Sequence, residues 1–130
     1  MNLLNGIKVI MKSSKKFQNQ LLISVIIITF KRIKNVVDIL NDLRSQTFKE
    51  FEVIVVSDGC KTAFKKKIKD YSQFFPIQFF DTGLISKYGL ATARNIGLKN
   101  AKSDYCILID DDCRISKNFI ENHYINREKL

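Results

Sequence analysis

Several features that would place the chain in a familiar class are missing from its 130 residues. No apolar run approaches the roughly 20 residues that a membrane-spanning helix needs. The three cysteines, Cys60, Cys106 and Cys113, are odd in number and show no short spacing. This pattern argues against a disulfide framework and against a zinc site. The single histidine, His123, completes no Ser–His–Asp set that the sequence can assign.

Acidic residues are also scarce. The chain has 13 of them against 22 lysines and arginines, which gives a net charge of +9. Such a charge attracts the phosphates of nucleic acids, anionic lipids or nucleotides, although a solvated surface has the same composition. The sequence shows neither a recognition-helix pattern nor aromatic residues placed for base stacking, so no nucleic-acid partner is expected.

What the sequence does contain is a regular alternation of strands and helices. Apolar, largely β-branched runs predict strands at 22–29, 51–57, 76–81 and 105–109. Apolar residues at helical spacing predict helices at 34–45, 62–74 and 88–101, and Ser116 is a candidate N-cap for a last helix through His123. We therefore predict one α/β domain over residues 21–130. It would hold a parallel sheet of about four strands with helices on both faces.

Residues 1–20 differ from the rest, because apolar residues mix with lysines and no acid is present. We predict a basic leader that is either disordered or a short interfacial helix on anionic lipid. The second alternative implies peripheral contact with the inner face of a membrane. Together with the free thiols, it favours a cytoplasmic protein.

Polar residues collect directly after three of the predicted strands, at 29–32, 57–59 and 110–112. In parallel α/β sheets, ligands bind beyond the carboxyl ends of the strands, so the three clusters would share one edge. The adjacent aspartates 110–112 repel one another unless a cation is present, and carboxylates suit Mg²⁺ or Mn²⁺. A solvated acidic turn is the alternative. Asp58 could accept hydrogen bonds from a base or a ribose, or belong to an ordinary Asp-Gly turn.

A third group of candidates lies in residues 89–97 (GLATARNIG). Small residues let a helix pack closely on a sheet or a ligand, and Arg94 could bind a phosphate with two hydrogen bonds. Simple helix packing explains the small residues equally well. The spacing is not that of a dinucleotide-binding loop and does not follow the first strand, so a nicotinamide cofactor is not predicted.

Five segments, in this order, resemble the inverting glycosyltransferases of family 2, which have the GT-A fold. They are residues 24–30 (SVIIITF), 43–47 (LRSQT), 52–59 (EVIVVSDG), 89–97 (GLATARNIG) and 104–112 (DYCILIDDD). The resemblance runs from about residue 22 to the chain end. It implies the Rossmann-like, nucleotide-sugar-binding half of such an enzyme, with a UDP-linked sugar as the expected donor.

The resemblance also implies roles for the nucleotide-binding residues. Thr29 and Phe30 would line the nucleobase pocket, and Arg32 belongs to the same cluster. Asp58 would contact the base, usually uracil, and Arg94 would lie near the nucleotide.

The aspartates match the family's DxD-type motif. Asp112 would ligate the divalent cation that bridges the diphosphate, and Asp110 or Asp111 would contact the ribose or the sugar. The cation acts as a Lewis acid on the departing nucleoside diphosphate, while an acceptor hydroxyl attacks the anomeric carbon from the opposite face.

The sequence departs from the family pattern at several positions. Ser57 and Cys113 stand where acids are usual, and Ser103 replaces a frequent glycine. Family members also continue well past the aspartates, into an acceptor half that supplies the catalytic base, and neither Glu121 nor Glu128 is a good candidate for that base. We therefore expect a domain truncated before the acceptor half.

Such a domain binds a donor at best. It would need a missing partner half or would associate with itself. The alternative function is a non-catalytic nucleotide-binding or interaction module of the same fold. The acceptor would be a lipid-linked group, a polysaccharide or a protein.

Overall fold

A computed structural model describes residues 2–4, 6–11, 21–59, 62–83 and 89–129. The strands are β1 (Asn2–Leu4), β2 (Ile7–Met11), β3 (Ile23–Thr29), β4 (Phe51–Ser57), β5 (Ile77–Asp81) and β6 (Tyr105–Asp110). The helices are α1 (Ile33–Arg44), α2 (Thr62–Lys69), α3 (Gly89–Asn100) and α4 (Phe119–Ile125), with 3₁₀ turns at Asp70–Gln73 and Arg127–Lys129. No helix in the described ranges is long and apolar enough to span a membrane.

The strands form one sheet in the order β1-β2-β6-β3-β4-β5. The four predicted strands, β3 to β6, run parallel to one another. β3 and β4 are buried at every position, as expected of strands covered on both faces. The predicted α/β architecture with a parallel sheet is therefore confirmed.

Helices cover both faces of this sheet, as predicted. On one face the alternate side chains of β3 and β4, such as Val25 and Val53, pack with the buried residues of α1, α2 and α4. On the other face Ile26 and Ile54 pack with Ala93 of α3. α3 approaches closely because a Cβ at Gly97 would lie only 2.5 Å from Cγ2 of Ile26. The two cores hold the carboxyl ends of β3 and β6 side by side.

The prediction for residues 1–20 is wrong where the structure describes them. β2 pairs antiparallel with β6 from Ile7↔Ile109 to Met11↔Tyr105, and β1 pairs with β2. Val9 is 3% exposed and belongs to the main core. Pairing to a neighbouring strand satisfies the backbone and buries apolar side chains, which a disordered leader or an interfacial helix would not do. Residues 12–20 lie outside the described ranges.

The last helix also begins later than predicted. Asn118, rather than Ser116, precedes α4, and it makes no side-chain cap. The Ser116 carbonyl instead accepts hydrogen bonds from Nε2 of Gln46 (2.7 Å) and from the Phe119 N–H (3.1 Å). This tertiary contact keeps residue 116 outside the helix. The helix predicted at 62–74 ends at Lys69 and continues as a 3₁₀ turn.

Candidate functional site

The carboxyl ends of β3 and β6 form one wall of a cavity of about 220 Å³. The strands are parallel neighbours with Ile28 opposite Asp110, so the residues that follow each strand meet. Helix α3 forms the opposite wall. The lining residues are Ile28, Phe30, Arg32, Leu90, Arg94, Asp110, Asp111 and Asp112. Six of the eight residues assigned to the site from the sequence thus lie around one space.

Asp111 joins the two strand ends. Its carboxylate accepts a hydrogen bond from Oγ1 of Thr29 (2.9 Å) and one from the guanidinium of Arg32 (3.3 Å). Asp111 is buried, whereas the side chain of Arg32 remains more than half exposed. Thr29 therefore lies behind the cavity wall and positions Asp111. Arg32 keeps donors available on the cavity side.

Asp110 and Asp112 are in different surroundings. Asp110 is half-buried, and burial is the main cause that raises the pKa of its carboxyl, while the nearby positive charge of Arg94 opposes the rise. Asp112 is exposed, and one of its oxygens lies 3.7 Å from Sγ of Cys113. Burial likewise raises the pKa of the Cys113 thiol, so this thiol is not activated. Asp112 is thus the aspartate most accessible to a ligand.

Arg94 extends from α3 toward the aspartates. It is half-buried, and within the described part of the chain it forms no salt bridge. A guanidinium that lines a cavity without a carboxylate partner can bind an anion with two hydrogen bonds. The arrangement therefore places acidic and basic side chains around one cavity.

The aromatic side of the cavity is formed by Phe30, which is 43% exposed. Lys31, the next residue, has a positive φ of 58°, which is rare for a residue with a side chain. Its ammonium group lies 5.1 Å from the centre of the Phe30 ring. This backbone conformation turns the chain sharply after β3 and leaves the ring accessible for stacking.

Asp58 is not among the cavity-lining residues. It is 1% exposed, and one carboxylate oxygen accepts a hydrogen bond from Oγ1 of Thr82 at 2.5 Å. The carboxylate also lies against the start of α3, because a Cβ on Gly89 would fall 2.2 Å from its Cγ. Direct contact of Asp58 with a base stays a prediction, and it requires this carboxylate to be uncovered.

Sequence reasoning missed three contributors to this edge. Gly6 contacts Asp110 from the amino-terminal hairpin, Thr82 binds Asp58, and Leu90 lines the cavity. Gly6 and Thr82 lie far from their partners in sequence. Leu90 lies in the candidate segment 89–97, one helical turn before Arg94 on α3. That spacing was the signal that could have identified it as a lining residue.

A metal ion would have to share its coordination with a ligand. In the ranges that the structure describes, no three His, Cys, Asp or Glu side chains are grouped so that they could hold a metal. Mg²⁺ commonly takes only one or two carboxylates and fills its shell with water and substrate phosphates. An exposed Asp112 beside a half-buried Asp110 fits that kind of site and not a closed protein cage.

Solved structures resemble this fold. Residues 1–349 of the S. aureus protein TarS are 25% identical over 84% of this chain and 32% of that fragment, with TM-scores of 0.75 and 0.72 for the complexes with UDP and with UDP-GlcNAc. The mannosyltransferase PcManGT from Pyrobaculum calidifontis, in complex with GDP-Man and Mn²⁺, is 18% identical over 71% of this chain and 28% of its own, with a TM-score of 0.61. The fold is therefore of the GT-A type, as predicted.

Sequence comparison identifies the family of the chain. It belongs to glycosyl transferase family 2, whose sequence model matches residues 24–125. An uncharacterized glycosyltransferase from Rickettsia bellii is 32% identical over 99 residues, which are 76% of this chain and 14% of the relative. The chain thus spans a small part of the length of that relative, about a third of the TarS fragment 1–349 and a fifth of a longer TarS chain. The amino-terminal hairpin lies outside the region that the family model matches.

Proposed function

We propose that the chain binds the nucleoside diphosphate part of a nucleotide sugar, with a UDP-sugar as the donor. The observation that carries this proposal is the single cavity that Arg32, Arg94, Asp110 and Asp112 line together. Guanidinium groups bind diphosphate oxygens, and their charge offsets the repulsion between a diphosphate and the aspartates. The TarS complexes with UDP and UDP-GlcNAc support the choice of donor.

The exposed ring of Phe30 would stack on the base at the outer end of the cavity. Thr29 would hold the pocket through its bond to Asp111, and Asp110 or Asp111 would face the ribose or the sugar. Asp58 would support the start of α3, the helix that carries Arg94, even where it does not touch the base.

A divalent cation, Mg²⁺ or Mn²⁺, is proposed beside Asp112. The carboxylate of Asp111 already has two partners, whereas Asp112 is exposed at the cavity. When bound, such a cation neutralises charge that develops on the departing diphosphate. Transfer of the sugar would then follow by attack of an acceptor hydroxyl with inversion, as the family resemblance implies.

Transfer would need groups from beyond the described residues. The part of the chain that the structure describes contributes no lining residue after Asp112, so Glu121 and Glu128 do not reach the cavity. General-base catalysis is typically worth about 10²–10⁴-fold in rate. We propose that the chain alone binds donor without efficient transfer, and that a polysaccharide or another hydroxyl-bearing acceptor is bound elsewhere.

The same observation favours a second candidate, a nucleotide-binding module that never catalyses transfer. The two candidates predict different results when a larger partner protein is added. Sugar transfer that appears only when the rest of a family 2 enzyme is added supports the donor domain. Nucleotide binding with no transfer in any mixture supports the module.

The binding proposal is tested by calorimetric titration with UDP, in Mn²⁺ and in chelator. Wild type should bind in Mn²⁺, and Asp112→Ala should lose metal-dependent binding. The matched control is Asp70→Ala, which removes an exposed aspartate from the 3₁₀ turn after α2. Equal affinity of Asp112→Ala and wild type would remove the metal role, and absence of binding to the folded wild type would remove the donor site.

Membrane contact and cytoplasmic location remain separate proposals. Part of the leader that suggested them pairs in the sheet, and the exposed Lys65, Lys66 and Lys67 on α2 would add to any contact with anionic lipid. Sedimentation with anionic vesicles, compared with neutral ones, tests the contact. Equal sedimentation with both would dismiss it. Self-association would show as a concentration-dependent mass in analytical ultracentrifugation.

A further inference from the structure

The amino-terminal hairpin reaches the aspartates through its turn. Because β2 pairs with β6 up to Ile7↔Ile109, the residue before β2 comes to lie beside Asp110. The Asp110 N–H donates a hydrogen bond to the Gly6 carbonyl at 3.1 Å. This bond continues the ladder by one residue, to the end of β6 where the cavity begins.

The turn contacts the Asp110 side chain as well as its backbone. Gly6 has a positive φ of 78°, and a Cβ there would lie 2.8 Å from Oδ2 of Asp110 and 3.2 Å from Sγ of Cys113. The backbone of Gly6 therefore packs directly on the carboxylate. Any side chain at this position would push the carboxylate away from where it stands.

The hairpin is fixed firmly enough to act as a support. Val9 is buried in the main core, and Ile7 packs against the same core. Ile10 packs against the core on the opposite face of the sheet. Side chains on both faces thus hold β2 against β6, so the turn at Gly6 has a defined position relative to Asp110.

We propose that the amino-terminal hairpin is part of the donor site and that Gly6 is a positioning residue, which fixes the Asp110 carboxylate at the edge of the cavity. The hairpin lies outside the region matched by the family model, so this support belongs to this chain and not to the matched domain. The binding readout for this inference rests on the proposed function.

The test compares Gly6→Ala with Gly83→Ala. Gly83 has nearly the same positive φ, 75°, but within the described residues no atom lies within 4 Å of a Cβ placed there. Both variants carry the same backbone strain, and only the first adds a contact to Asp110. Changing the groups that orient the ligands of a metal typically costs about 10–100-fold in affinity, and we expect a loss of the same order in the UDP affinity of Gly6→Ala in Mn²⁺ relative to Gly83→Ala.

Two further measurements isolate the route through Asp110. In an Asp110→Ala background, Gly6→Ala should cause no additional loss of UDP affinity. A full additional loss in that background would overturn the proposal. Equal UDP affinities of Gly6→Ala and Gly83→Ala would overturn it as well. If Gly6→Ala does not fold, the pair Gly6→Asn and Gly83→Asn replaces it, because Asn tolerates positive φ and still adds a Cβ.

If the wild type binds no UDP, the proposed function is refuted. The contact between Gly6 and Asp110 is then tested separately by NMR. The carboxyl carbon of Asp110 should then shift in Gly6→Ala and stay in place in Gly83→Ala. An unmoved Asp110 signal in both variants would overturn the inference.

Discussion

Replacing Gln46 with alanine removes the side chain that joins α1 to the segment after the aspartates. Gln46 is 1% exposed, and its Oε1 accepts a hydrogen bond from the Ile120 N–H at 3.0 Å. Its Nε2 donates to the carbonyls of Ser116 (2.7 Å) and Asp42 (3.1 Å). In the variant both carbonyls keep a second partner, but the Ile120 N–H does not.

The energetic cost of the substitution follows from the three hydrogen bonds that it removes. A buried N–H left unsatisfied costs about 1–3 kcal/mol, and each of the two other bonds contributes about 0.5–1.5 kcal/mol. We therefore expect Gln46→Ala to lower the free energy of unfolding by about 2–6 kcal/mol. That is a large share of the roughly 5–15 kcal/mol that holds a domain together.

Urea unfolding followed by circular dichroism measures this loss. The control is Gln73→Ala, because the Gln73 amide donates to the Asp70 carbonyl at an exposed site. A surface change of that kind should stay within about 0.5 kcal/mol of wild type. If the two glutamine variants unfold at the same urea concentration, the claim that Gln46 holds the segment after Asp112 is refuted.

Two more changes test other contacts. Gly89→Ala places a Cβ 2.2 Å from the Asp58 carboxylate, so overpacking should lower the free energy of unfolding by about 1–3 kcal/mol; an unchanged urea midpoint would show that this carboxylate is free to move. Burial lowers the pKa of His123, whose Nδ1 lies 3.1 Å from the Tyr105 hydroxyl. Its contribution to stability is therefore complete above its unfolded pKa of about 6.5 and is lost as pH falls below it. Thermal unfolding from pH 8 to pH 5 should show this loss, and His123→Asn should flatten the profile; parallel profiles would exclude His123 as the cause.

The parallel part of the fold was predictable because its signals are local. Runs such as residues 23–29 and 51–57 are mostly apolar and do not alternate with polar residues, which is typical of strands buried on both faces, and helical patterns separate them. The hairpin was not predictable in the same way. β2 is a short run that contains Lys8, and its stability comes from pairing with β6, almost a hundred residues later in the chain. Local composition does not report a partner at that distance.

The site was predictable where topology alone decides it. Residues that follow parallel neighbouring strands must share an edge, and so Thr29 meets Asp111. The burial of Asp58 was not predictable, because it depends on how closely α3 approaches and on Thr82 after β5. Both depend on tertiary packing, which the sequence of residues 57–59 does not report.

The turn after β4 shows how structure changes the meaning of a departure in sequence. Ser57 stands where the family usually has an acid, which suggests a weakened site. In the structure Oγ of Ser57 donates to Oδ1 of Asp81 at 2.6 Å, and the Gly59 N–H donates to the same oxygen at 2.8 Å. β4 and β5 pair with Ser57 opposite Asp81, so a carboxylate reaches this turn from the neighbouring strand. The turn therefore has a carboxylate within hydrogen-bond distance of the residues on either side of Asp58, although residue 57 itself is uncharged.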